Sequence, residues 1–316
     1  MNYLTVKVFA FISPFGKIVT GETSDVHVVM RFTPIFDTSS LIDLSREDDL
    51  DAVVKRLKPL IPSHGCPLSF VTALELFRGL ANGDPGQIAG TLKPLLLGAR
   101  ISRRIVLRTP LTFASWELFQ VEDALSHKPR LLMKWLEKIQ APNFAARFAS
   151  GEVEMDFSGI SRIFGKIEQE ESRNIEGMLD RWNPTWREDR RSGSALPEDL
   201  RETAKRGMQF DALRDALPER FLASLQIEPT SANISKAKIH CDAFFAFQVN
   251  RTRDSVIGNY AFEKNSNDFH DWLQLLYLTR PQFCYVTEDG PSLKRTRQSG
   301  QHPRIMSLKE FLSDAA

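Results

Sequence analysis

The chain has 316 residues, 42% hydrophobic and 26% charged, which is ordinary globular composition with room for one large domain or two smaller ones. Forty-one basic residues against forty acidic ones leave a net charge of +1, which argues against a strongly basic nucleic-acid coat protein but allows an enzyme with a local basic groove around an acidic centre. Three cysteines without close spacing, Cys66, Cys241 and Cys284, argue against a disulfide framework or a zinc site and point to a reducing cytoplasm.

Residues 4–11 alternate as a strand and 26–30 read as its hairpin partner, giving a β extension over 1–30. A short apolar strand follows from Phe32 to Phe36. Pro34 would cost a central strand a ladder bond, so it is read as the strand's start. Leu50, Val53, Val54, Leu57 and Leu60 keep helical spacing and predict a helix over about 47–60. Leu68 to Val71 reads as a second strand, running into a helix over about 72–80. Beyond the turn at Gly83, Pro85 and Gly86 comes a helix near 87–98, and Ile101 to Arg108 is compatible with strand or loop.

The middle of the chain predicts helices at 128–140, 157–181, 197–216 and 231–250, with Trp182 to Pro197 as an exposed linker. At the end come a helix from Asp268 to Leu278, a turn at Arg280 to Gln282, a buried strand from Phe283 to Val286 and a closing helix from Leu308 to Leu312. The overall expectation is α/β: a parallel-sheet domain from 31–115 and 265–316, with 116–264 as a helical insertion or cap. No apolar run approaches the roughly 18–20 residues that span a bilayer, and the amino terminus shows no secretory pattern, so a cytoplasmic protein without membrane contact is expected.

Acidic residues stand where an α/β sheet puts its chemistry. Asp37 and Asp289 each follow a run of strand character, and open sheets present functional groups at the carboxyl ends of their strands. Glu75 falls just past the second predicted strand. Asp268 and Asp271 open the helix that leads to the last strand. Carboxylates converging from these places would repel one another by several kcal/mol unless a divalent cation held them, and oxygen-only sets suit Mg²⁺ or Mn²⁺. Each acid also has a plain explanation. Thr72-x-x-Glu75 reads as a capping box, Asp37, Asp268 and Asp271 as helix amino-terminal residues, and Glu288-Asp289-Gly290 as a turn.

Taken together and in order, these residues resemble a PIN-domain nuclease. Asp37-Thr38-Ser39-Ser40-Leu41-Ile42 matches that family's opening strand-to-helix motif. Thr72-Ala73-Leu74-Glu75-Leu76-Phe77-Arg78-Gly79 matches its second acidic motif. Asp271 leading to Val286-Thr287-Glu288-Asp289 matches its third and fourth, and Asp268 resembles an extra acidic position of some members. The match covers roughly residues 31–110 and 265–313, and the stretch between is far longer than in a minimal PIN domain.

The resemblance implies a three-layer α/β/α fold with a central parallel sheet and metal-dependent hydrolysis of a phosphodiester, most often in RNA. Asp37, Glu75, Asp271 and Asp289 are the implied catalytic acids, and with Asp268 the implied ligands of Mg²⁺ or Mn²⁺. Ser39 and Thr287 would orient a water or a carboxylate, although a strand-end hydroxyl more often satisfies backbone. The implied setting is toxin, stress or defence related, with an RNA substrate, and it leaves room for an inhibitory protein partner and a homodimer. The alternatives are a catalytically inactive PIN-like module that binds protein or RNA, and a structure-specific DNA nuclease.

Two basic clusters are candidates for guiding substrate phosphates. One holds Arg100, Arg103, Arg104 and Arg108; the other holds Lys294, Arg295 and Arg297, with Arg304 beyond. Solvated surface loops explain either cluster equally well. His270, between two acids, reads as a surface histidine whose side chain points elsewhere, and His240-Cys241 as a pair inside a helix. Trp182 and Trp186 read as buried or linker residues rather than base-stacking platforms. Neither a phosphate-binding Gly-Lys-Ser/Thr loop nor a Gly-x-Ser-x-Gly elbow occurs.

Overall fold

Pro34 stands inside the first strand, not at its start, and the pairing explains why it is tolerated. In the computed structural model, β1 (Thr33–Phe36), β2 (Phe283–Val286) and β3 (Ile305–Met306) form a parallel sheet in that order, so among the described residues β1 is an edge. The N–H groups of Thr33 and Asp37 donate to the carbonyls of Gln282 and Val286 at 2.7 and 3.0 Å, so the odd-numbered residues of β1 bond to β2. The nitrogen of Pro34 therefore faces the free edge, where its missing proton costs no ladder bond.

The structure describes residues 32–82, 85–121, 128–157, 162, 202, 208–257, 268–298 and 302–313. All of them belong to one unit, Arg31–Ala316. In chain order the helices are α1 (Thr38–Ser45), α2 (Leu50–Leu57), α3 (Phe70–Asn82), α4 (Pro85–Ile101), α5 (Pro110–Phe119), α6 (Lys128–Ile139) and α7 (Phe144–Ala149). There follow α8 (Met208–Ser224), α9 (Ser231–His240), α10 (Asp242–Ile257), α11 (Asp268–Gln274) with a 3₁₀ continuation (Leu275–Thr279), α12 (Gly290–Gln298) and α13 (Leu308–Ser313).

Successive strand residues point to opposite faces, and each face carries its own core. Phe36, Cys284 and Val286 join Leu41 of α1, Leu74 and Phe77 of α3, Leu95 of α4, Trp135 of α6 and Phe311 of α13. Ile35, Phe283, Tyr285 and Ile305 join Phe113 of α5, Phe221 of α8, Phe244 of α10 and Leu276 of the 3₁₀ segment. Helices thus cover both faces of a small parallel sheet, which is the layered α/β arrangement expected. The described helices between 116 and 264 share these two cores with the strands: α6 and α7 complete one layer, α8 and α10 the other.

Several elements differ from the expectation. Leu68 makes one parallel bridge to Val106, and Phe70 and Val71 already belong to α3. Ser69 starts that helix: its hydroxyl accepts from Thr72 N–H at 3.2 Å, and its carbonyl from Ala73 N–H at 3.0 Å. Thr72 and Glu75 are therefore inside α3 and do not form its capping box. The helix expected over 47–60 begins only at Leu50, where the Asp49 carboxylate caps Asp51 and Ala52 at 2.8 and 3.2 Å. The helix expected over 231–250 breaks at Cys241, so His240-Cys241 marks a junction.

Four elements, α5, α7, α12 and β3, had no sequence counterpart. The apolar residues of α5 (Pro-Leu-Thr-Phe-Ala-Ser-Trp-Glu-Leu-Phe) circle the helix and leave no stripe to read. The expected strands in 1–30, the linker 182–197 and most of the helix at 157–181 lie outside the described residues, and the helix at 197–216 is described only at 202 and from Met208 onward. The three cysteines are buried and free. Among the described residues, no helix is long and apolar enough to cross a membrane.

Candidate functional site

Asp37 leaves β1 and caps α1. One carboxylate oxygen, Oδ1, accepts from Ser40 N–H at 2.7 Å, which satisfies a first-turn amide that has no partner within the helix. Ser39 Oγ lies 3.0 and 2.8 Å from the two carboxylate oxygens, and Thr287 Oγ1 donates to Oδ2. The residue is only 2% exposed. Burial pushes its carboxyl from the ordinary 3.8 up to about 6, and the bonds from Thr287, Ser40 and Ser39 pull it partly back.

Asp289 performs the same task after β2. Its Oδ2 accepts from Ser292 N–H at 2.7 Å, so it caps α12. Its own N–H donates to Thr287 Oγ1 at 3.0 Å, and that hydroxyl donates onward to Asp37. One threonine therefore links the two strand-end aspartates. Ser292 extends the chain of contacts, because its Oγ lies 3.3 Å from Asp271 Oδ2 while its N–H serves Asp289. Asp271 belongs to α11; the side chain of Asp268, at the start of that helix, lies outside the described residues.

Glu75 reaches the same region from α3. Thr38 Oγ1 donates to its Oε2, and His270 Nδ1 lies 3.2 Å from its Oε1. His270 is 3% exposed, which corrects the expectation of a surface histidine. The relevant signal was present in the sequence: His270 and Gln274 are four apart on α11, and both turn inward. Gln274 Oε1 accepts from Thr72 Oγ1 at 2.9 Å, and its Nε2 reaches Tyr285 OH at 3.3 Å.

Tyr285, on β2, is buried with its hydroxyl 3.3 Å from Gln274 Nε2. Its hydroxyl is held far above its usual range, first by burial and then by the negative charges of Asp37, Asp271, Glu75 and Asp289. Sequence reading named the four acids and overlooked Tyr285, Thr38, Ser292 and Gln274, because a tyrosine in an apolar strand looks like core.

Ser39 and Thr287 both bond Asp37, and Ser39 also accepts from Glu288 N–H at 3.0 Å. Glu288 itself faces away, accepting from Leu308 N–H at 2.6 Å at the start of α13.

The donor set is carboxylate oxygen throughout, which fits a hard divalent cation. As the side chains are placed, hydroxyls and amides occupy the carboxylate oxygens, and among the described residues no three His, Cys, Asp or Glu are gathered closely enough to hold a metal ion. The chemistry of the residues fits Mg²⁺ or Mn²⁺; a bound ion would replace some of those hydroxyl contacts.

The candidate substrate cations fare differently. Arg295 is 7% exposed, with Nε 3.2 Å from Asp254 Oδ2 and its guanidinium 5.9 Å from the centre of the Phe247 ring. It anchors α12 to α10 and is not a groove cation. Arg297 pairs with Glu310 at 2.6 Å, and Arg304 donates to the carbonyls of Leu278, Arg280 and Phe283 at 2.8, 3.1 and 3.3 Å, at the opposite end of β2 from the acids. Lys294 is exposed on α12. Arg103 and Arg104 are exposed in the turn after α4, with φ of 49 and 66°. They precede the parallel bridge at Val106, so they lie where that pairing begins, whereas the acids follow the exits of β1 and β2. Arg100 pairs with Asp51 at 2.8 Å, and Arg108 lies over the Trp116 ring at 5.2 Å.

No family model, curated protein or solved structure matches this chain.

Proposed function

We propose that the chain is a divalent-metal-dependent nuclease of PIN-like type that hydrolyses phosphodiester bonds, with RNA as substrate. The observation that carries this reading is the hydroxyl-linked set of acids. Thr287 joins Asp37 to Asp289, Ser292 joins Asp289 to Asp271, and Thr38 ties Glu75 to the turn that carries Asp37.

Asp37, Glu75, Asp271 and Asp289 would hold one or two Mg²⁺ or Mn²⁺ ions. Such ions supply positive charge against developing phosphate oxygens and acidify a nearby water. The protein's own part is positional. Asp37 and Asp289 are fixed by the helices they cap, and hydroxyl donors set the orientation of each carboxylate. Lys294, exposed on α12 two residues beyond Ser292, is the cation of that cluster proposed to meet a backbone phosphate. The RNA preference, and a role in stress, toxin activity or defence, rest on the resemblance of the ordered motifs to PIN-domain nucleases.

A non-enzymatic binding module is the second reading. It is favoured by the same hydrogen bonds, because acids satisfied by hydroxyls need no cation for the fold to hold. Single-stranded RNA, single-stranded DNA and flap DNA, each incubated with Mn²⁺ or Mg²⁺ and either the wild type or Asp37→Asn, separate the possibilities. The nuclease reading expects RNA cleavage by the wild type and none by the variant. Cleavage of DNA alone would reassign the substrate. Equal cleavage by both proteins, or none by either, would remove the catalytic reading.

A further inference from the structure

We infer that His270 is a positioning residue that, with Thr38, clamps the Glu75 carboxylate in the orientation needed to receive a divalent cation; this rests on the nuclease reading of the acidic site. The geometry is specific to Glu75. Its two oxygens are held separately, Oε2 by Thr38 Oγ1 from α1 and Oε1 by His270 Nδ1 from α11 at 3.2 Å. Each clamping residue lies beside another acid of the site: Thr38 follows Asp37, and His270 precedes Asp271.

Such a clamp is needed at Glu75 more than elsewhere. Asp37 and Asp289 are short side chains fixed by caps at the ends of strands. Glu75 stands inside α3, performs no capping, and has the longer side chain, which has more rotamer freedom to lose when fixed. A glutamate whose orientation is set in advance loses less when it binds a ligand. His270 can do this because α11 turns its ring inward: the residue is 3% exposed, while the Glu75 side chain keeps 19%. In this clamp the ring nitrogen facing Glu75 is the donor and the carboxylate oxygen the acceptor. The clamp therefore requires a proton on Nδ1.

The test compares His270→Leu, which fills space without a donor, with His270→Asn, whose amide nitrogen can occupy the Nδ1 position. Mn²⁺ binding is measured by titration calorimetry on chelator-treated full-length protein, beside the ¹⁵N spectrum of labelled histidine. The expected result is Mn²⁺ binding weakened 10- to 100-fold in the leucine variant, the range typical for partners that orient a metal ligand, and restored to within about threefold by asparagine. The Nδ1 resonance of His270 in the wild type should show a protonated nitrogen that shifts in Glu75→Gln. If the leucine variant fails to fold, Thr38→Val tests the other half of the clamp, with the same loss expected.

Wild-type affinity in both His270 variants, or an Nδ1 that carries no proton, overturns the positioning role while leaving the nuclease reading intact. Absence of Mn²⁺ binding in the wild type overturns both.

Discussion

Thr287 donates its hydroxyl proton to the carboxylate of Asp37, a contact spanning 250 positions of sequence. The same oxygen accepts from Asp289 N–H at 3.0 Å, so the ends of two neighbouring parallel strands share one hydroxyl. The strand pairing makes this possible. Phe36 and Val286 are in register, which brings the next residues of both strands together at their carboxyl ends.

The buried Asp37 carboxylate should leave a pH signature in stability. The unfolded chain releases this proton near 3.8 and the folded chain only near about 6, so between those values the folded state binds more protons and stability falls as pH rises. The difference corresponds to about 3 kcal/mol, fully lost above the folded value. Asp37→Asn cannot ionise and keeps an oxygen for Ser40 N–H. In urea melts without metal, the variant should exceed the wild type by up to about 3 kcal/mol near pH 8 and by almost nothing near pH 4. An advantage that does not change with pH would show that ionisation of the buried carboxylate is not its cause.

Gly65 should resist substitution for two reasons. Its φ is +89°, a left-handed conformation that an L side chain adopts at a cost, and an added Cβ would lie 2.8 Å from the Ile101 carbonyl oxygen. That carbonyl accepts from Cys66 N–H at 3.1 Å, so it cannot retreat freely. Gly65→Ala is expected to lose about 1–3 kcal/mol in urea unfolding. An unchanged midpoint would show that the turn relaxes.

Arg295 and Lys294 are neighbours with opposite expected effects. Arg295→Ala leaves Asp254 without its partner and removes contact with Phe247, and is expected to cost about 2–4 kcal/mol of stability. Lys294→Ala should leave stability within about 0.5 kcal/mol, yet weaken RNA binding and reduce its salt dependence by about one counterion. Thermal melts and binding measured at several salt concentrations separate the two. Equal behaviour of the two variants in both assays would contradict the assignment.

Much of the site was legible because strand ends announce themselves. The apolar run before Asp37 and the one before Asp289 gave both strands, and the helix leading to β2 located Asp271. Inward-facing partners were not legible. His270 lies between two acids, so its local sequence is that of a solvated helix; its contact with Glu75, 195 positions away, is not visible there. Arg295 looked like one of a basic cluster, because nothing near it in sequence reveals Asp254 or Phe247 across α10. Pro34 was read by the rule for central strands, and β1 proved to be an edge. The Leu68–Val106 pairing is a single bridge, too short for alternation to show.

Whether these acids form a metal centre is decided by Mn²⁺ binding to the full-length protein, followed through loss of the free-ion paramagnetic resonance signal. The wild type should bind, and binding should weaken at least about tenfold in Asp37→Asn and again in Asp289→Asn, since removing a single metal ligand costs at least as much as disturbing its supports. No binding by the wild type, or binding that neither substitution alters, would rule the metal centre out.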